Sequence, residues 1–138
     1  LKWLKNKLDV YQNVCFYELV DSSNLPRLLK SFDAHILFQK KNVMDIVMPS
    51  KLLAMMASQK PCIVYGNKNS ELMQVINTSA AGIYFHSDNI EEISDTTIDF
   101  LLNKNNKKEN KNKTKTFLKE KFSLDKVMKK FIVTLDKI

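Results

Sequence analysis

Apolar residues follow two alternating spacings along this chain. Short runs that are apolar almost throughout, bounded by Gly, Pro, Asn or Asp, are typical of buried strands. Such runs predict strands at 14–20, 35–39, 61–65 and 81–85. The run at 35–39 shows so little alternation between apolar and polar positions that it favours a parallel sheet covered on both faces.

Helical spacing, with apolar residues three or four positions apart, fills the intervals between these runs. It predicts helices over 25–32, 50–58, 70–76, 91–102 and 123–135, and an amphipathic helix at the start of the chain that carries Leu1, Leu4 and Leu8. Strands separated by helices indicate an α/β fold, a Rossmann-like parallel sheet with flanking helices. Ligands of such sheets bind beyond the carboxyl ends of the strands.

Size and composition narrow the class of protein. The chain has 138 residues, 44% of them hydrophobic, so we expect one globular domain or less. No run approaches the ~18 apolar residues of a membrane-spanning helix, which argues against an integral membrane protein. Because the first residues show neither a methionine start nor a signal peptide, we interpret the chain as a fragment of a longer protein.

Two cysteines, Cys15 and Cys62, each lie inside an apolar run. Thiols in such runs usually behave as small buried hydrophobic groups. A disulfide framework would need more cysteines at closer spacing. We therefore expect a reducing, cytoplasmic location, with association at the periphery of the inner membrane as a variant of it.

The net charge of +7 comes largely from a Lys/Asn run at 103–116. With almost no apolar residues, this run predicts a solvated low-complexity loop within the domain. A nucleic-acid tail would gain from interleaved aromatic residues for base stacking, and the run has none, so we expect no nucleic-acid partner. Attraction of the lysines to a membrane surface of anionic lipid is the stronger alternative.

Several chemistries are excluded by the absence of their motifs. The sequence has no GxGxxG, no Walker loop and no HExxH, and its only glycines are Gly66 and Gly82. The two histidines, His35 and His86, form no metal-ligand spacing with the cysteines, so we expect neither a metal nor a cofactor. His35 is expected to be a core residue, and His86, at the end of a strand, a surface residue or a ligand.

The stretch 45–72 carries the residues that fit a ligand site. Asp45 precedes a helix start and would accept hydrogen bonds from sugar hydroxyls, or would serve only as a solvated loop carboxylate. Lys51 lies in the first turn of that helix, where the dipole disfavours a cation, so it suggests a bound anion or a lysine that reaches into solvent. Ser70 and Glu71 form a second candidate patch, with N-capping by Ser70 as the purely structural alternative. The methionines of this stretch are expected to fill gaps in the core and at its rim.

Several short sequence motifs in this stretch resemble those of a known family. Pro49-Ser50-Lys51-Leu52-Leu53, Met56-Ala57-Ser58-Gln59-Lys60-Pro61 and Ser70-Glu71-Leu72 resemble the "PSKLL", "MAsGkP" and "sEL" words of retaining GT-B glycosyltransferases. Asn13 to Phe16, Leu25 to Leu29, Phe32 to Ile36, Ala81-Gly82-Ile83 and Phe122 to Val127 extend the resemblance over nearly the whole chain, in order. The closest likeness is to enzymes that add fucose-like or N-acetylfucosamine sugars in bacterial surface-polysaccharide synthesis.

The resemblance implies the C-terminal, donor-binding domain of such an enzyme, with its first two strands missing before residue 1. In its full-length form the enzyme would transfer a sugar from a nucleotide-diphosphate sugar to a glycan or lipid-linked acceptor, and we expect this chain by itself to be inactive. The implied substrate-binding residues are Asp45, Met48, Pro49, Ser50, Lys51, Leu52, Gly66, Ser70 and Glu71; no catalytic residue is assigned. The gap left by the missing strands would leave the sheet incomplete and open to pairing with a second copy of the chain.

The sequence departs from the family pattern at its two glutamates. Alignment on Pro61 places them at Ile46 and Ala54, so Asp45 or Glu71 would have to supply the carboxylate, and Gln59 stands where the family has a glycine. Two other functions stay open. One is a non-catalytic, receiver-like partner-binding module, although Val20-Asp21-Ser22-Ser23 offers one acidic residue where a receiver has a pair. The other is a basic domain that binds a membrane or a nucleic acid.

Overall fold

The computed structural model of this chain describes residues 2–40, 50–103 and 107–135. In chain order the elements are α1 (Lys2–Leu8), α2 (Leu25–Ser31), β1 (His35–Phe38), α3 (Ser50–Ala57), β2 (Cys62–Tyr65), α4 (Glu71–Ser79), β3 (Gly82–Phe85), α5 (Ile90–Leu102), α6 (Lys107–Phe122) and α7 (Leu124–Leu135). No helix within these ranges is long and apolar enough to cross a bilayer.

The three strands form one parallel sheet in the order β1-β2-β3. The register sets His35 beside Cys62 and Cys62 beside Gly82, and it continues one residue at a time to Phe38, Tyr65 and Phe85. Helices α3 and α4 are the crossovers between successive strands, as parallel pairing requires. The predicted α/β class, a Rossmann-like parallel sheet with flanking helices, is confirmed.

The core lies on one face of the sheet, beneath α3, α4 and α6. Its fully buried apolar members come from alternate positions of β2 and from the inner sides of the two crossover helices: Leu52, Met56, Cys62, Val64, Leu72 and Ile76. Met55 and Met56 fill the space between α3 and the sheet, which confirms their predicted core role. On the opposite face α5 packs beside β3, and Ile63 of β2 is buried there, whereas Ile36 and Phe38 of β1 are exposed.

The strand predicted at 14–20 was wrong. These residues form no strand, and their side chains are largely exposed, Tyr17 at 86% and Leu19 at 101%. A strand needs a neighbour for its N–H and C=O groups, and in the described part of the chain β1 pairs with β2 alone. Cys15 is exposed for the same reason, so only Cys62 is the buried thiol that we predicted.

The Lys/Asn run at 103–116 was predicted to be a loop, but it is helical from Lys107 onward. The run is the first part of α6, and the residues of α6 from Thr114 onward pack against the rest of the domain. Thr114 is 4% exposed, and its hydroxyl lies 3.0 Å from the carbonyl oxygen of Ser79 on α4 and 2.9 Å from that of Asn110. Phe117 and Leu118 follow on the same side and pack against the core. Lys111, Lys113 and Lys115 are exposed on the other sides of the helix.

Helices α3 and α4 both end in the left-handed backbone region on a residue other than glycine. Gln59 has φ of 61° and Ala80 has φ of 54°. Each turns the chain directly into the next strand, at the amino edge of the sheet. The unusual Gln59 at the end of α3 is therefore a residue in a conformation that normally favours glycine.

Candidate functional site

The carboxyl edge of the sheet gathers the chain segments that follow each strand. Because α3 and α4 run antiparallel to the strands that they connect, their N-termini lie at this edge. The unpaired N–H groups of a helix's first turn favour anions at that position. The carboxyl edge is thus where the fold places its best donors for a phosphate group.

A hydrogen-bonded cluster ties the ends of all three strands together at this edge. Ser70 donates from its hydroxyl to Oε1 of Gln39, which follows β1, across 3.2 Å. The Tyr84 hydroxyl on β3 donates to the carbonyl oxygen of Asn67, which follows β2, across 2.8 Å. We call Gln39, Gly66, Asn67, Ser70 and Tyr84 the edge cluster. It fixes the loop that leads into α4 relative to the sheet.

The side chains of the cluster approach Gly66 closely. A Cβ atom at this position would lie 2.8 Å from Oε1 of Gln39 and closer still to the Tyr84 hydroxyl. Its own N–H donates to the carbonyl oxygen of Phe85 across 3.0 Å, which continues the β2–β3 ladder. Gly66 therefore serves the geometry of the edge through its lack of a side chain.

Ser70 and Glu71 begin α4 in different environments. Ser70 is 4% exposed, and its hydroxyl oxygen accepts from the N–H of Leu72 across 3.1 Å, so the predicted N-cap role is confirmed. Glu71 is exposed in the first turn. The structure thus brings Gly66, Ser70 and Glu71 together, with Ser70 as a structural residue and Glu71 directed to the surface.

The residues at the start of α3 divide in the same way. Ser50 and Lys51 are exposed, whereas the side chain of Leu52 is fully buried in the core. Only the backbone N–H of Leu52 could meet a ligand. Ser50 is the first helical residue of α3 rather than a cap before it. Asp45, Met48 and Pro49 lie outside the described residues.

The histidines occupy opposite environments. His35 is 7% exposed, and its Nε2 lies 2.9 Å from the hydroxyl oxygen of Ser58, which confirms the predicted core histidine. Burial lowers the pKa of His35, the charge of Lys60 lowers it further, and a hydrogen bond to the backbone of Leu29 opposes both. His86 is exposed after β3. Within 2–40, 50–103 and 107–135, no group of His, Cys, Asp and Glu is arranged to hold a metal ion.

A cavity of about 670 Å³ lies at the opposite, amino edge of the sheet. Pro61, Ala81 and Phe100 line its wall, and Asp33 and Lys60 are among its polar residues. Its size is ordinary for a ligand pocket, but parallel sheets bind their ligands at the other edge, where the crossover helices begin. We therefore place the candidate site at the carboxyl edge.

Three members of the edge cluster escaped the sequence analysis as site residues. Gln39 is the last residue of one predicted strand and Asn67 lies two residues after the next, positions near the carboxyl edge that could have singled them out. Tyr84 gave a weaker signal: a tyrosine near the end of a half-buried strand needs a partner for its hydroxyl. The pairing of Gln39 with Ser70, 31 residues apart, could not be inferred from local pattern.

Comparison with known proteins gives one partial similarity. The chain is 34% identical over 67 residues to WcaI of Escherichia coli (strain K12), a glycosyl transferase assigned to colanic acid biosynthesis. The match covers 49% of this chain and 16% of that protein. No protein-family model matches the chain, and no solved structure does. The similarity supports a relationship to glycosyl transferases.

Proposed function

We propose that this chain is the donor-binding part of a retaining glycosyltransferase of the GT-B type, which binds a nucleotide-diphosphate sugar at the carboxyl edge of the sheet. The similarity to a glycosyl transferase of polysaccharide synthesis carries the proposal. The parallel sheet, with crossover helices that begin at one edge, supplies a fitting frame.

The diphosphate would lie at the N-terminus of α3. The first-turn N–H groups of Ser50, Lys51 and Leu52 have no acceptor within the helix, and the helix dipole favours an anion beside them. Lys51 is exposed in that turn. A bound phosphate would offset the unfavourable interaction of the Lys51 charge with the helix dipole. The lysine and the first-turn N–H groups together would neutralise a diphosphate without a metal ion.

The sugar or ribose hydroxyls would be held by a carboxylate. Ala54 occupies the position of one glutamate of the family pattern, so Glu71, which is exposed at the start of α4, would make this contact instead. Asp45 is the alternative from the sequence. The edge cluster would hold the start of α4, and with it Glu71, in a fixed position relative to β1 and β3.

In its full-length form the enzyme would pass the sugar to a glycan or lipid-linked acceptor. We expect the 138-residue chain to bind a donor without transferring it, since the matched part covers 16% of the related transferase. Sugar transfer by this chain in isolation would contradict that expectation.

A binding experiment tests the proposal. Titration calorimetry with UDP, GDP and their hexose conjugates should show saturable binding, and Lys51→Met should weaken it about tenfold through the loss of one charge-assisted phosphate contact. Lys111→Met is the matched control, because Lys111 is an exposed lysine of α6 beside the amino-edge cavity. Equal weakening by both variants, or no binding of any nucleotide, would reject the carboxyl-edge donor site.

A further inference from the structure

The positive charge of the chain is concentrated in α6 and α7. Residues 107–135, which form these helices, contain ten lysines and three acidic residues, a net charge of +7. The whole chain also has a net charge of +7, so its remaining residues carry equal numbers of acidic and basic side chains. We call α6 and α7 the basic helix pair. Its charge indicates a partner that is negatively charged.

Three lysines of α6 lie along one side of the helix. Lys111, Lys115 and Lys119 are spaced four residues apart and are all exposed, so they span about 12 Å of the helix axis. In the described part of the chain no carboxylate forms an ion pair with them; the ion pair on α6 joins Lys113 to Glu109 across 2.7 Å. Like charges at this spacing repel one another, and a surface of anions would relieve that repulsion.

Helix α7 adds an apolar stripe. Its apolar side chains recur three or four positions apart and are between 47% and 76% exposed: Leu124, Val127, Met128 and Ile132. Lys126 and Lys129 lie on the opposite side of the helix and are also exposed. Among the described elements α7 packs chiefly on α6. An apolar stripe with a basic opposite face is typical of helices that lie in a membrane interface.

A bilayer of anionic lipid matches both features, whereas other partners match one of them. A nucleic acid would pair with the lysines but would leave the apolar stripe in water. It would also use exposed aromatic rings for base stacking, and Phe117 and Phe122 of α6 are half-buried with their ring centroids 5.9 Å apart. An apolar protein surface would cover the stripe but would leave the lysines unmatched. Anionic headgroups above acyl chains present negative charge and an apolar layer within about 10 Å of each other.

We propose that the basic helix pair binds the surface of a membrane that contains anionic lipid. Helix α7 lies in the plane of the interface with Leu124, Val127 and Met128 towards the acyl chains. Lys126 and Lys129 extend to the headgroup phosphates, and the row of lysines on α6 adds electrostatic attraction to the same surface. The proposal does not depend on the donor site, which we place at the starts of α3 and α4.

Flotation with lipid vesicles tests the binding of the 138-residue chain. The chain should bind vesicles of about 30% phosphatidylglycerol in phosphatidylcholine at least about tenfold more tightly than vesicles of phosphatidylcholine alone. Raising the salt concentration from about 0.1 to about 0.5 M should weaken binding, because exposed charges are screened. No binding to the anionic vesicles, or equal binding to both kinds, would overturn the proposal. Binding to a single-stranded oligonucleotide without binding to vesicles would assign the lysines to nucleic acid and would also overturn it.

Charge removal tests the part played by α6. Lys115→Gln/Lys119→Gln should weaken binding to the anionic vesicles about twentyfold, since each lysine near such a surface strengthens binding about fivefold. Arg27→Gln/Lys30→Gln is the matched control, because it removes the same charge from exposed residues of α2, which packs on α3. The control should weaken binding less than about threefold. Equal weakening by the two double variants would show that net charge alone drives binding, and it would reject a site on α6.

Serine substitutions test the insertion of α7. Val127→Ser should weaken binding about fivefold, because a valine of the apolar stripe would no longer pass from water into the acyl layer. Val133→Ser makes the same change at an exposed residue on the opposite side of α7 from Leu124, about 180° around the helix, so it should change binding less than about twofold. Both valines are exposed, so neither change should unfold the helix. Equal effects of the two variants would reject the proposed insertion of the apolar stripe.

Discussion

Nε2 of His35 and the hydroxyl oxygen of Ser58 form a buried hydrogen bond across 2.9 Å. The Ser58 hydroxyl also lies 2.6 Å from the carbonyl oxygen of Met55, to which it donates. The contact joins the first residue of β1 to the residue that follows α3, and it holds the imidazole in the buried position where it titrates.

Acidification should destabilise the fold through His35. Burial and Lys60 hold the pKa of His35 below its usual value near 6.5, so the folded state binds this proton less readily than the unfolded state. The stability that neutral His35 contributes to the folded state is therefore fully present above pH 6.5. It is lost as the pH falls from there through the lowered pKa of His35 in the folded state. Urea unfolding should give a lower free energy of unfolding at pH 5.5 than at pH 7.5.

His35→Gln is the control for this pH dependence. Glutamine can donate to Ser58 but does not titrate, so the variant should lose most of the difference in unfolding free energy between the two pH values. A difference in the variant as large as in the original chain would assign the effect to other groups.

Thr114 should contribute more to the free energy of unfolding than Thr116, two residues further along α6. Replacing Thr114 by valine removes a buried hydroxyl and leaves the Ser79 carbonyl without that donor, which should cost about 1–3 kcal/mol of unfolding free energy. Thr116 is exposed on the same helix, so Thr116→Val should change the unfolding free energy by less than about 0.5 kcal/mol. Denaturant unfolding of both variants measures the difference. Equal effects would contradict the packing of α6 on α4.

The helix α6 shows why some of the fold escaped sequence-based prediction. The strands β1 to β3 were predictable because each is an apolar run between turn residues, and burial on the sheet requires such runs. The first part of α6 is held to α4 by the hydroxyl of Thr114, which lies within a polar run. A search for hydrophobic periodicity does not detect such a contact. The segment 14–20 has strand composition, but pairing depends on a neighbour that local sequence does not reveal.

The candidate site was predictable to a similar extent. Gly66 and Ser70 lie in the turn between a strand and a helix, and in a parallel sheet such turns meet at the carboxyl edge. Leu52 was expected at the site because it belongs to the same motif as Ser50 and Lys51, but the rotation of α3 turns its side chain into the core. Successive side chains of a helix point about 100° apart. Neighbouring residues of one motif can therefore lie in the core and at the surface.

Replacing Gln59 by glycine should stabilise the fold. Its φ of 61° places a side chain in the left-handed region, where glycine avoids a steric cost of about 1–2 kcal/mol but loses more entropy on folding. We expect Gln59→Gly to raise the unfolding free energy by up to about 1 kcal/mol. Ala57→Gly, two residues earlier and inside α3, should lower it by about 0.5–1 kcal/mol. Destabilisation by both variants would contradict the left-handed end of α3.

The two thiols should differ in reactivity towards a disulfide reagent such as Ellman's reagent. Cys15 is exposed, whereas Cys62 is fully buried on β2, and burial raises the pKa of its thiol to about 12. Because the thiolate is the attacking species, native protein at pH 8 should release one equivalent of the coloured thiolate rapidly, and protein in denaturant should release two. In the Cys15→Ser variant the native chain should release almost none. Rapid release of one equivalent by that variant without denaturant would show that Cys62 on β2 is accessible, in conflict with its place at the centre of the sheet.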